Sequence, residues 1–173
     1  MIYVLAYPEF EPHIAQRLDR FRATHEAERA KLVPPHITLA FGLNHANREE
    51  VEALCDAVSS STTELTVKFE SSEVSYDPFE KKHKLFLFCG TGGRAITALH
   101  NQLYDGLHRS EFKSEHPYRP HMTVATSAER ANLEGLDVAD IAEFPITGMV
   151  RALEVVQLVD GTLKALKTAP LRA

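Results

Sequence analysis

The sequence has two cysteines in 173 residues, no apolar run of the length a bilayer helix needs, and no excess of basic residues. Each shortage removes a class of function. Cys55 and Cys89 lack the close Cys/His spacing of a zinc or iron–sulfur site, so buried reduced thiols are the expectation. A spanning helix takes ~20 consecutive apolar residues. The opening Met1-Ile2-Tyr3-Val4 also lacks the basic stretch and layout of a secretion signal, and a cytoplasmic protein with no membrane partner is expected. Formal net charge is −5 with histidine neutral. Affinity for long nucleic acid comes largely from Lys and Arg against phosphates, so an acidic chain points to a small nucleotide or an RNA end. Gly90-Thr91-Gly92-Gly93 lacks the Lys-Ser/Thr ending of a phosphate loop and the spacing of a dinucleotide fingerprint, and it reads as a strand-to-helix turn.

What the sequence does have is one phrase written twice: Pro35-His36-Ile37-Thr38-Leu39 and Pro120-His121-Met122-Thr123-Val124. Side chains alternate across a strand, so His36 and Thr38 would share one face while Ile37 enters the core, and His121 and Thr123 likewise around Met122. Chance supplies roughly half of one H-x-T match in such a composition; requiring the proline and the apolar flanks lowers that to roughly a hundredth. His108-Arg109-Ser110 lacks both and carries no weight. The remaining histidines (His13, His25, His45, His83, His100, His108 and His116) scatter over helices and loops. His100 and His108, eight apart on one helix, are too weak a pattern for a metal pair, and no metal is expected.

The length suits one domain with a substantial core, and 44% hydrophobic with 25% charged residues is ordinary for a globular chain. Periodicity predicts a strand over 2–7 and a helix from about 9 to 30 through Phe10, Ile14, Leu18 and Phe21. Pro34-Pro35 stops that helix ahead of a strand over 36–41. A second helix carries Val51, Leu54 and Val58 and ends at Ser59-Ser60-Ser61. Short strands follow at 64–70 and 73–76, then a polar loop from Asp77 through Lys81, Lys82 and Lys84, a strand over 85–89, and a third helix through Ile96, Leu99, Leu103 and Leu107. The second motif strand covers 121–126, a weaker helix 128–140, and three strands lie near 144–149, 152–159 and 162–168, the last two joined at Asp160-Gly161. The order strand, helix, motif strand spans 2–41 and recurs over 85–126, which suits an α+β fold of duplicated β-α-β units packed about a pseudo-twofold axis.

Opening a cyclic phosphodiester takes a base for water, an acid for the departing ribose oxygen, and donors for the non-bridging oxygens. Histidine, with an ordinary pKa of ~6.5, serves as either acid or base near neutrality, and hydroxyls donate to phosphate. Arg119, beside the second motif, is a further candidate for the substrate phosphate. The paired motifs, their separation and the repeated element order resemble the 2H phosphoesterase superfamily, in particular its 2′-5′ RNA ligase-like and cyclic phosphodiesterase group. The likeness covers most of the chain in organisation and rests specifically on the two motifs. It implies a bilobal fold with antiparallel sheets around a central groove, His36 and His121 as the acid/base pair, and Thr38 and Thr123 as phosphate-binding hydroxyls. Members often carry an aromatic residue three positions before the motif histidine; Tyr118 matches and Val33 does not, which implies base stacking on one side only. The function expected is cofactor-free, metal-independent hydrolysis of a nucleotide 2′,3′-cyclic phosphate by a monomer, with the resemblance favouring a 2′-phosphate product. Cleavage or joining of 2′-5′ RNA linkages is one rival, and a nucleotide- or RNA-end-binding module without turnover is another.

Overall fold

A computed structural model describes residues 1–44, 47–105 and 117–173, within which the apolar periodicities resolve into eight strands and five α-helices. His45, Leu107, His108, Arg109, Ser110 and His116 lie outside the described residues. The order is β1 (Ile2–Ala6), α1 (Pro12–His25), α2 (Ala27–Leu32), β2 (Ile37–Leu43), α3 (Arg48–Ser61), β3 (Leu65–Asp77), β4 (Lys82–Cys89), α4 (Gly93–Tyr104), β5 (His121–Ser127), α5 (Ala131–Glu134), β6 (Ile146–Val150), β7 (Ala152–Val159) and β8 (Thr162–Pro170). Among these helices none is long and apolar enough to cross a membrane.

The strands form two four-stranded antiparallel sheets, β2-β1-β7-β8 and β5-β4-β3-β6. Read outward from the motif strand, the two sheets match position by position. In each, the motif strand is the edge and pairs with the first strand of its own β-α-β unit. The α+β architecture expected from the duplication, with the antiparallel sheets that the family resemblance implies, is therefore what forms. The inward residues Ile37, Leu39, Met122 and Val124 are at most 1% exposed and join one core that draws on both sheets.

The helices pack crosswise: α1 of the first unit lies against β5 of the second, and α4 of the second against β2 of the first. An edge strand carries unpaired N–H and C=O groups that need partners when covered. On β2 the second unit supplies them. Tyr118 Oη donates to Thr38 O at 2.8 Å, and His100 Nδ1 lies 2.7 Å from Leu39 O. Tyr104 Oη accepts from Phe41 N at 2.7 Å and donates to Phe41 O at 3.2 Å.

Several local expectations are corrected, most of them by a particular side-chain contact. The helix predicted over 9–30 is two helices, because Glu26 turns out of the helical region to meet Arg22. The second helix, α3, does end at Ser59-Ser60-Ser61 as expected: these hydroxyls and that of Thr62 donate to carbonyls three or four residues back, satisfying groups a helix end leaves open. The strands predicted at 64–70 and 73–76 are one strand with a register shift between Phe69 and Ser71, where Glu70 turns aside to accept from Thr91 N and Oγ1. Lys82 and Lys84 belong to β4, and Lys84 is buried between Asp77 at 2.6 Å and Glu80 at 2.8 Å. The helix predicted over 128–140 shrinks to α5 and a 3₁₀ turn at Val138–Asp140. Gly92 does make the expected turn, at φ +83°, where a Cβ would run into Thr66 O.

Arg22 and Glu26 are an ion pair at 2.5 Å with side chains 2% and 0% exposed, and Arg22 Nη2 also donates to Val33 O at 3.0 Å. This pair links α1 to the segment leading into the first motif. Removing one member strands the other charge, so Arg22→Ala is expected to lower unfolding free energy by roughly 3–5 kcal/mol, whereas Arg22→Met with Glu26→Leu costs little. Urea denaturation reads both. A single variant within ~1 kcal/mol of wild type would sink this reading of the pair.

Candidate active site

Both motif histidines enter their strands in the same way. His36 directly precedes β2, and its Nδ1 lies 2.8 Å from Pro34 O; His121 opens β5, and its Nδ1 lies 2.7 Å from Arg119 O. A carbonyl only accepts, so each Nδ1 carries the hydrogen and each neutral ring presents a bare Nε2. Among the described residues neither Nε2 has a protein partner. The proline before each histidine has no N–H and fixes its own φ, which holds the carbonyl-bearing turn rigid.

Thr38 and Thr123 follow on the same faces as their histidines, Thr38 part-exposed and Thr123 8% exposed. Among the described residues their hydroxyls make no hydrogen bond to the protein. Immediately after each threonine the ladder slips by one residue. Leu5 faces Thr38 while Val4 faces Ala40, and Phe86 faces Thr123 while Leu85 faces Ala125. Leu39 and Val124 are thus the extra residues of two matching bulges, devices that bend a strand and re-aim its side chains beside functional sites. They let two consecutive residues, Leu39-Ala40 and Val124-Ala125, sink into the core while His and Thr stay on the groove face. The signal was present in the sequence: the repeated phrase runs one step further, to Pro-His-x-Thr-x-Ala.

Aromatic rings line the walls next to the imidazoles. Phe86 and Phe88 stand 4.4 and 5.9 Å from the His121 ring, and Tyr7 stands 6.3 Å from that of His36. Register makes Tyr7 and Phe88 counterparts in the two sheets. Sequence reasoning passed over them, taking 85–89 as a uniformly buried run. In fact Leu85 and Leu87 are buried while Phe86 and Phe88 are part-exposed, a period-2 pattern visible in Leu-Phe-Leu-Phe. One strand further out, Glu154 faces Leu5 and Glu73 faces Phe86, a carboxylate on each wall. Arg119 lies over the Phe88 ring at 3.7 Å and pairs with Glu73 at 3.5 Å, on the rim beside His121. Tyr118 is placed differently from a base-stacking residue: its ring stacks at 3.8 Å on His100 and its hydroxyl is held by Thr38 O, so it ties the second motif to the first. Val33 packs with Leu5 and Val156 in a small cluster on the first sheet. Two surface concavities of about 460 and 440 Å³ lie elsewhere, and neither is lined by a motif histidine.

His36 is buried, His121 is half-buried, and both rings have positive charge nearby. Burial pushes His36 down to about 3 against the pull of its bond to Pro34 O, with Arg29, Arg22 and His121 pushing the same way. Burial also lowers His121, aided by Lys84, Arg119 and Arg29 and opposed by its bond to Arg119 O. The two motif strands β2 and β5 are in contact, which sets the two histidines on adjoining edges. Burial and the Glu154 carboxylate push Tyr7 up to about 12, so its phenol stays protonated.

Known proteins share this architecture. The model of the 2′-5′ RNA ligase superfamily matches residues 10–162. Among solved structures, E. coli LigT complexed with 3′-AMP is 20% identical with a TM-score of 0.62, over 98% of this chain and 97% of that one. The Thermus thermophilus protein TT0787 is 17% identical with a TM-score of 0.66, over 99% and 98%. Kluyveromyces marxianus Usb1 is 11% identical with a TM-score of 0.62, over 98% and 97%. No curated protein sequence matches. The fold is common to these structures, and the family match spans most of the sequence, motifs included: the chain belongs to the 2′-5′ RNA ligase superfamily, the 2H phosphoesterases.

Proposed function

We propose that this protein hydrolyses a nucleotide 2′,3′-cyclic phosphate, or a related cyclic phosphodiester, by metal-independent acid/base catalysis between His36 and His121. The observation that carries the reading is the pair of matching Nδ1-to-carbonyl bonds, which leaves two bare Nε2 atoms on neighbouring edge strands. His36, held neutral by burial, takes the proton of water as its oxygen attacks phosphorus. The bond from phosphorus to one ribose oxygen breaks, and His121 Nε2–H protonates that oxygen, giving a phosphomonoester. A bound phosphodiester anion favours the protonated imidazole and returns to His121 the proton that the empty site disfavours. Thr38 and Thr123 donate to the non-bridging oxygens. Aromatic walls suit a base or ribose, and E. coli LigT has been crystallised with 3′-AMP, ATP, NADP+ and phosphate. The carboxylates of Glu73 and Glu154 favour a mononucleotide or a strand end over a long polyanion laid along the groove. The protein acts as a cytoplasmic monomer in this reading.

With 2′,3′-cyclic AMP as substrate and EDTA present, wild type is expected to turn over, and His36→Ala and His121→Ala each to lose about 10²–10⁴ in kcat. Turnover that survives both substitutions would contradict the mechanism. The reaction needs one ring neutral and the other protonated, and both free-enzyme pKa values are lowered from 6.5. The kcat/KM profile is therefore expected to peak below pH ~6.5 and to fall about tenfold per unit above it. A profile that rises from pH 6.5 to 8 rules this proton assignment out.

A further inference from the structure

With both rings neutral, the repeated motif supplies donors and no net charge, yet a phosphodiester is an anion. A cation outside the motif would meet it before His121 takes up its proton; Arg22 is committed to Glu26 and Val33 O, and three others stand near the histidines. Lys84 is buried and held by both Asp77 and Glu80. Arg119 is held by the Phe88 ring and Glu73 on the rim. Arg29 is held through one nitrogen only: Nη1 donates to Glu80 Oε1 at 2.8 Å.

We propose that Arg29 is a catalytic residue that takes the non-bridging oxygens of the substrate phosphate side-on, through Nη2 and through Nε once the seating substrate uncovers it, while Glu80 holds Nη1. This deepens the hydrolase reading above and rests on it. Arg29 Nε is enclosed yet has no acceptor, which native proteins rarely leave so. The side-on edge of a guanidinium, Nε with Nη2, matches two oxygens of a carboxylate or phosphate. Arg22 shows that edge fully used, with Nε on Glu26 and Nη2 on Val33 O; on Arg29 the same edge meets no protein acceptor among the described residues. Placement agrees. Arg29 rides on α2, a helix that buries none of its residues, and reaches from the approach to the first motif to the β3–β4 turn of the second sheet. Glu80, which holds Nη1, also holds Lys84, and Lys84 faces Thr126 on β5, three residues past Thr123 of the second motif.

The test compares wild type, Arg29→Ala, Arg29→Lys and Glu80→Gln with 2′,3′-cyclic AMP and with its Rp and Sp cyclic phosphorothioates. Calorimetric titration with inorganic phosphate runs alongside. Arg29→Ala is expected to lose about 10²–10³ in kcat and to weaken phosphate binding at least ~10-fold. Arg29→Lys keeps the charge without the fork, so it should recover under about a tenth of that loss and change the Rp/Sp preference, which a merely structural role would leave alone. Glu80→Gln, which loosens the grip on Nη1, should lower kcat with the Rp/Sp preference altered in the same sense. Arg29→Ala within ~3-fold of wild type in both kcat and phosphate affinity overturns the proposal, as does a wild type that binds no phosphate. If Arg29→Ala does not fold, Arg29→Lys and Glu80→Gln decide the matter by the phosphorothioate preference. If wild type binds phosphate but turns over no cyclic nucleotide, the hydrolase reading fails, and loss or retention of phosphate binding in the Arg29 variants still decides this one.

Discussion

Everything at the site depends on how the outer edge of β2 is satisfied. A motif strand with both faces and both edges buried could present nothing to a ligand, and one with a bare edge would invite pairing with another chain. Here the edge is closed by side chains of the other half of the molecule. Tyr118 holds Thr38 O, His100 approaches Leu39 O and Tyr104 binds Phe41 at both N and O. The face is thereby left open for His36 and Thr38. Because Tyr118 lies three residues before His121, the group that fixes the first motif is part of the approach to the second. Each half completes the other, which is why a duplicated unit is useful as a pair.

The second organising feature is the contrast between neutral rings and charged surroundings. Burial strips the proton from both imidazoles, and the paired charges around them (Arg22 with Glu26, Arg29 with Glu80, Lys84 with Asp77 and Glu80) add positive potential without a free countercharge. An anion arriving between the rings finds a desolvated site in which its charge counts for more than in water. The protein's acidic balance acts at longer range than this local field.

The duplicated phrase made the architecture legible. Period-2 alternation around His36 and His121 put Ile37 and Met122 in the core and the polar residues on one face, and the same order of elements in both halves indicated a duplicated unit, whose antiparallel sheets were implied by the family resemblance. Features set by particular side-chain and strand pairings were not legible. The break at Glu26 has no Pro or Gly to announce it and follows from the Arg22 pair; β3 runs through two serines because β4 pairs with it along most of its length. Lys84 looks like a solvated loop residue in Asp77 to Lys84 until Asp77 and Glu80 fold back onto it. Tyr118 is a case where position in the motif and role in the fold part company: the residue stands where a stacking aromatic would, and its ring and hydroxyl are both occupied by the protein. Phe86 and Phe88 could have been read from alternation, had the apolar run not been taken whole.

The central claim is that two imidazoles, each locked by its own backbone carbonyl, aim their Nε2 atoms at one phosphate. Long-range ¹H–¹⁵N spectra of histidine-labelled protein at pH 7, recorded before and after adding 2′-AMP, test it most directly. The account predicts that His36 and His121 are both neutral with the hydrogen on Nδ1, and that both Nε2 signals move together when the nucleotide binds. A hydrogen on Nε2 of either ring in the free protein, or a response confined to one of the two, would contradict it.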